Sequence, residues 1–407
     1  MAHAAAAAAL LSPTPALAAE NHARLENRLN AAMSQASAHS GAYVYDLADR
    51  TGLYSRRATK RRILASNTKL FTTAATLAEF GSSGRFTTRV LGDRRPNDNG
   101  VVRGDLYLVG GGDPGFGTSS FAERAYGGGG ATLGKLVRAV KRAGVERVTG
   151  NVLGDESLFD SLRGGPDSGY GVSRWVGPLS ALSFNRGLAR ENGSAFQTRP
   201  PEFAATKLAT ALKRRGVRIG GKAGVSQAGP RARKIAAVES LSVGRLIRLT
   251  NQVSDNFFAE ILAKHLDTTP THPGTTDGGA AAAARFARSL GSRASLVDGS
   301  GLARGNRAAP RAVVRLLRGM HRHEGFDTYY ESLARANERG TLADRRTNRR
   351  CRAKTGTISG VSALSGYCRA ASGDLIAFSI LMNGVGSNYD GARRVQDAMT
   401  QIIARYG

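Results

Sequence analysis

Cysteine is nearly absent from these 407 residues: there are two, Cys351 and Cys368. That scarcity excludes a disulfide-dense scaffold and a four-cysteine metal site. Tryptophan occurs once, and aromatic residues make up only 6% of the chain. No basic run is interleaved with aromatics, so no specific nucleic-acid partner is expected. Acidic residues are also scarce. Thirty-one Asp and Glu stand against 58 Lys and Arg, giving a formal net charge of +27. Two readings of that excess stay open: attraction to a polyanion, such as an anionic cell-wall polymer, or the solvated faces of an arginine-rich composition. The seven histidines are scattered without ligand spacing, so neither a metal nor a cofactor is expected. Long apolar runs are missing beyond the first residues, which argues against a membrane-spanning helix.

What is present can build a large core. Hydrophobic content is 41% and glycine is abundant at 51 residues, which predicts two or three domains with many turns. Residues 1–19 combine a row of alanines with Leu10-Leu11 and an Ala16-Leu17-Ala18 site. They read as a secretory signal, although the first residues carry no Lys or Arg, only His3. The expected location is therefore secreted or extracytoplasmic, in association with the cell wall. Residues 20–40 have helical spacing through Leu25, Leu29, Ala32 and Met33, and 41–54 read as a strand followed by a turn and the start of a second strand. Between 86 and 240 short apolar runs alternate with Gly/Asp/Pro turns, interrupted by helical patterns at 133–143 and 204–215. This predicts an inserted β-rich module, divided into two subdomains. Gly110-Gly111-Gly112-Asp113-Pro114-Gly115 lacks a following Lys-Ser/Thr and reads as a tight turn rather than a phosphate cradle. Helical spacing returns from 241, 376–382 read as a buried strand, and 389–406 as an amphipathic terminal helix. A two-residue turn at Ser359-Gly360 would set Cys351 opposite Cys368 across a hairpin, where they form either a disulfide or two buried thiols.

Chemistry enters at Ser66-Asn67-Thr68-Lys69. If Ser66 opens a helix, Lys69 lies one turn on, on the same face. A partly desolvated lysine can take a proton from a serine hydroxyl, and a helix N-terminus favours a developing oxyanion. Two later stretches complete a pattern: Ser254-Asp255-Asn256 and Lys354-Thr355-Gly356. Ser-x-x-Lys, Ser-Asp-Asn and Lys-Thr-Gly, in that order, are the signature set of active-site-serine penicillin-recognising enzymes. Each is weak alone, as a helix cap or a strand end; the ordered triple is specific.

With these motifs the chain resembles the class C low-molecular-mass penicillin-binding proteins, the D-alanyl-D-alanine carboxypeptidase/endopeptidase family. Gly104-Asp105-Leu106-Tyr107-Leu108-Val109, Gly177-Pro178-Leu179, Asp298-Gly299-Ser300-Gly301-Leu302 and Gly340-Thr341-Leu342 extend the resemblance over nearly the whole mature chain. It implies an α/β (α+β) transpeptidase-like domain, with an antiparallel five-stranded sheet flanked by helices. That domain would comprise 20–85 plus 241–407, with 86–240 inserted between the first two motifs. The implied activity is serine D-Ala-D-Ala carboxypeptidase, with or without D,D-endopeptidase action, on peptidoglycan stem peptides, with acylation by β-lactams. Ser66 would be the nucleophile and Lys69 its base; Ser254 would relay a proton, Asn256 orient Lys69, and Lys354 attract the terminal carboxylate. Thr355 and Thr357 would bind that carboxylate, with the backbone N–H groups of Ser66 and Thr357 as oxyanion hole, and Gly356 would let the strand approach the serine. By the same resemblance Asp155, Arg345 and Ser359 would line a pocket for the diamino-acid side chain of the substrate. The long stretch between Ser66 and Ser254, and the absence there of a Glu-x-x-Leu-Asn segment, disfavour a class A β-lactamase. A wall-binding protein that keeps the fold without turnover is the remaining alternative. Oligomeric state is not legible.

Overall fold

The computed structural model describes residues 15–407. Most of the expected signal segment 1–19 therefore lies outside the described residues; its last residues begin the helix Pro15–Ser34. No helix among the described residues is long and apolar enough to cross a membrane.

A six-stranded antiparallel sheet carries the site. Its order is Ala334–Arg335, Cys351–Ile358, Val361–Arg369, Leu375–Asn383, Gly41–Asp46 and Gly52–Arg56. The expected five strands become six because the two-residue strand Ala334–Arg335 pairs with the outer edge of Cys351–Ile358. Side chains alternate across the pleat, so one strand serves two cores. Leu364, Phe378 and Ile380 pack with Leu25, Leu29 and Met33 of the first helix and with Met399 and Ile403 of the terminal helix Tyr389–Ile403. Ala363, Tyr367, Ala377 and Leu381 face the other way, onto Val313 and Leu317 of the helix Pro310–His321 and the helix Thr68–Phe80. With both faces covered, Leu375–Asn383 reads as one apolar run rather than an alternating one. The hairpin register pairs Ile358 with Val361 and Cys351 with Cys368, and the two cysteines are joined in a disulfide.

Residues between 86 and 240 supply a second sheet, ordered Ala223–Val225, Val152–Asp155, Leu106–Val109, Thr87–Gly92 and Arg233–Glu239. It is mixed: the first three strands run parallel and the other pairings are antiparallel. Parallel neighbours need long crossovers, which accounts for the helices Ser119–Tyr126, Leu133–Arg142 and Pro200–Lys213 in a stretch expected to be mainly strand. Val90, Leu108, Val152, Leu136 and Leu208 form a core of their own. Phe121, Phe159 and Leu179 from the same stretch join the core beneath the nucleophile helix. The glycine run at 110–112 is a crossing point. A Cβ on Gly110 would strike Ala181, on Gly111 the Thr87 backbone, and on Gly112 the His265 ring.

Candidate active site

Ser66 sits in a single 3-10 turn, Ala65–Asn67, that runs straight into the helix Thr68–Phe80. The residue before it, Ala65, is in the left-handed region at φ 47°, a conformation that costs an alanine on the order of 1 kcal/mol. Close packing holds it there: the Ala65 carbonyl fills the space a side chain at Gly301 would need. The 3-10 turn puts Lys69 three residues on, on the face of Ser66. Its Nζ lies 3.0 Å from Ser66 Oγ, 2.7 Å from Asn256 Oδ1 and 2.7 Å from the Ser300 carbonyl.

The second motif reaches Lys69 through a turn. Ser254 is also left-handed, at φ 61°, and Asp255 caps the helix Asn256–His265 by accepting from Phe258 N–H at 3.0 Å. The buried Asp255 is held in turn by Arg186 at 2.6 Å. This geometry turns Asn256 toward Lys69 with its carbonyl, while its amide N–H donates to the Trp175 carbonyl. Lys354, on the strand Cys351–Ile358, which beyond Ala353 is the free edge of the sheet, donates to Ser254 Oγ and to the Thr355 carbonyl, each at 2.9 Å. Asn67, next to the nucleophile, donates to the Lys354 carbonyl at 3.0 Å, which ties the turn to the strand. A Cβ on Gly356 would lie 2.9 Å from the Leu64 carbonyl and 3.1 Å from Ser66 N, so only glycine allows this approach. The structure thus brings the five residues together as two hydrogen-bonded groups, Lys69 with Ser66 and Asn256, and Lys354 with Ser254.

Both lysines are fully buried. Burial lowers the Lys69 pKa to about 8, against the opposing pull of Asp298, Glu260 and Asp255. Lys354 is held well below the ordinary lysine range by burial and then by the charge of Lys69. The partners of Lys69 are all neutral acceptors. A neutral amine there would use two N–H groups on Asn256 and Ser300 and keep its lone pair for the Ser66 hydroxyl.

Behind Lys69 lies a layer whose Glu260 was not singled out from the sequence and whose Asp298 entered only as part of a motif with no role given to it. Glu260 accepts from the backbone N–H of Gly299 and Ser300. Asp298 accepts from Gly301 N–H, Ala303 N–H and the Asn306 amide. Together they shape the loop whose Ser300 carbonyl holds Lys69. Burial and the nearby Asp298 raise the Glu260 pKa to about 7, and burial also raises that of Asp298. One signal was available: Glu260 is four residues after Asn256, on the same helical face.

Beside the edge strand a cleft of about 830 Å³ is lined by Thr355, Thr357, Thr341 and Arg345, among others. Thr355 Oγ1 donates to the Thr341 hydroxyl at 2.8 Å. Of the three residues expected in the side-chain pocket, Arg345 lines this cleft and Asp155 and Ser359 do not. Asp155 is buried, and its oxygens accept from Ser157 N–H and Ala228 N–H. It organises a turn of the second sheet and does not line the cleft. Ser359 lies at the hairpin tip, its carbonyl bound by Arg304 at 2.8 Å, and it does not line the cleft either. Arg345 does line it, but the guanidinium is engaged by Asp397 at 2.7 Å, Gln396 and the Arg393 carbonyl.

Comparison with known proteins follows the same lines. The profile of the D-Ala-D-Ala carboxypeptidase 3 (S13) family matches residues 22–187 and 186–406. The D-alanyl-D-alanine carboxypeptidase of Actinomadura sp. (strain R39) is 30% identical, over 98% of this chain and 88% of that protein. Among solved structures, penicillin binding protein 4 (dacB) from Haemophilus influenzae superposes with a TM-score of 0.77 at 18% identity, covering 93% of this chain and 99% of that one. A penicillin G-acylated predatory endopeptidase from Bdellovibrio bacteriovorus, in complex with an immunity protein, gives 0.54 at 18% identity, over 90% and 92%. These structural likenesses show the fold.

Proposed function

Because the chain belongs to the D-Ala-D-Ala carboxypeptidase 3 (S13) family, we propose that it removes the terminal D-alanine from peptidoglycan stem peptides through an acyl-enzyme on Ser66. The observation that carries this reading is the 3.0 Å approach of Lys69 Nζ to Ser66 Oγ, with the amine buried among neutral acceptors. Lys69 takes the hydroxyl proton as Ser66 Oγ attacks the carbonyl carbon of the penultimate D-alanine. The oxyanion forms against the backbone N–H groups of Ser66 and Thr357. The C–N bond breaks, and the departing amine receives a proton by way of Ser254. Lys354, Thr355 and Thr357 receive the terminal carboxylate, whose negative charge favours the protonated form of Lys354 against its burial. Water then attacks the ester, releasing the shortened peptide and the serine.

β-Lactams present a strained amide and a carboxylate to the same groups and acylate Ser66. Endopeptidase action on cross-linked peptides follows the same steps at the carbonyl of the cross-linking D-alanine, with the side-chain amine of the neighbouring stem as the leaving group. The protein acts outside the cytoplasm; the alanine-rich N-terminal segment and the Cys351–Cys368 disulfide support that location.

Labelling with fluorescent penicillin, followed by mass spectrometry of a pentapeptide muropeptide, tests the reading. The wild type takes the label and strips one D-alanine, and Ser66→Ala does neither. Undiminished labelling of Ser66→Ala, or an intact pentapeptide, removes the proposal. A label lost within seconds points to a β-lactamase instead.

A further inference from the structure

Away from Ser66 lies a second concavity, of about 710 Å³, with five arginines and no acidic residue in its lining: Arg61, Arg288, Arg293, Arg311 and Arg315. It shares no residue with the cleft beside the edge strand. The arginines come from three segments: the approach to the short strand Arg62–Ile63, the end of the helix Thr276–Ser289 with the link after it, and the start of the helix Pro310–His321. No carboxylate pairs with any of the five among the described residues.

Their protein contacts are few. Arg61 donates to the Ser295 hydroxyl and the Arg307 carbonyl. Arg315 reaches only the Gly291 carbonyl, at 3.4 Å. Arg311 lies over the Tyr43 ring, 4.9 Å from its centre, and its Nε is buried without a hydrogen-bond partner. That is the kind of polar atom a folded chain ordinarily satisfies.

The arrangement works against the fold that carries it. Arg311 and Arg315 are four residues apart on one helix, where like charges repel. Arg311 also sits in the first turn, where the helix dipole disfavours a cation. A solvated arginine-rich face would spread such charges and intersperse acids. Here they converge on a hollow. An anion in it relieves the repulsion and gives guanidinium forks the bidentate partner they fit.

Five charges in one hollow call for several negative groups at close repeat. We propose that this concavity binds a phosphodiester polymer of the cell wall, each guanidinium engaging a phosphate that stays ionised at every physiological pH. The proposal depends on the extracytoplasmic reading above only for where the polymer is met; the site is independent of the chemistry at Ser66.

The test uses the full chain and fluorescently labelled poly(glycerol phosphate), with anisotropy measured over a range of salt. The triple variant Arg288→Ser/Arg293→Ser/Arg315→Ser alters three exposed side chains. It is expected to bind at least about tenfold more weakly, with a salt slope lower by roughly two, at ~0.7 per lost phosphate contact. The triple Arg214→Ser/Arg215→Ser/Arg218→Ser removes the same charge from an exposed site elsewhere and should weaken binding less than about twofold. Equal losses in both triples, or none in either, overturn the proposal in favour of diffuse attraction. Equal or tighter binding of poly-L-glutamate overturns the phosphodiester assignment, and tighter binding of single-stranded DNA overturns the wall polymer. Penicillin labelling of Ser66 should be unchanged in both triples, so a failure here is separable from a failure of the carboxypeptidase reading.

Discussion

Lys69 has a buried ammonium and no carboxylate in contact with it. Its acids, Asp298 and Glu260, act from one layer back and only partly offset the burial that brings its pKa to about 8. A general base must be unprotonated, so acylation should follow the neutral fraction of this amine. The rate of penicillin labelling is expected to fall about tenfold per unit as pH drops below about 8, and to level off above it. Lys69→Arg keeps a positive charge that cannot be removed at these pH values. That variant should acylate at least about a hundredfold more slowly, with a flat profile. Single-turnover labelling between pH 6 and 9 checks both. A wild-type plateau reaching down to pH 6, or an equally steep profile in the variant, contradicts the assignment of Lys69 as base.

The element that most departs from its sequence reading is the segment before the edge strand. Arg345 fits a substrate-reading cation by its place in the motif, yet its side chain is only 14% exposed and its partner Asp397 12%. Asp397 also accepts from Arg346 N–H, so the pair fastens this loop to the helix Tyr389–Ile403. Breaking a largely buried pair leaves one charge stranded. Arg345→Ala and Asp397→Ala should therefore each lower stability by about 3 kcal/mol, and the double variant by little more than either. Urea unfolding of the four proteins measures the coupling. A normal midpoint for Arg345→Ala together with a raised KM for a diamino-acid peptide would return Arg345 to the substrate. The contrast with the hairpin is instructive. Cys351 opposite Cys368 was legible because a two-residue turn fixes every pair behind it. The neighbours of Arg345 and Asp155 come from residues 52 and 73 positions away, and no local pattern announces them.

At the scale of the whole molecule, the three motifs were legible because each is a short local pattern. The joining of the second sheet to the site was not, because aromatic packing between distant segments leaves no period in the sequence. His265 marks that join. It ends the helix begun by Asn256 and stacks on Phe86 with ring centres 3.6 Å apart. Phe80 and Phe159 meet it edge-on, and its Nε2 hydrogen-bonds with the Gly112 carbonyl at 2.9 Å. Burial lowers its pKa to about 4 from 6.5. The unfolded chain therefore binds the proton more readily, and the stability held above pH 6.5 is lost as pH falls toward 4, by about 3 kcal/mol. Asp113, beside Gly112, acts in the opposite sense. Burial raises its pKa to about 7, so the folded state keeps a proton the unfolded chain releases, and that stabilisation grows on acidification. The wild-type slope alone mixes the two, and a difference isolates His265. Urea unfolding of the wild type and His265→Phe at pH 7 and pH 4 should show the wild type losing about 3 kcal/mol more than the variant over that interval. Parallel losses would mean that His265 is protonated in the folded state and that the join between the second sheet and the site is open to water.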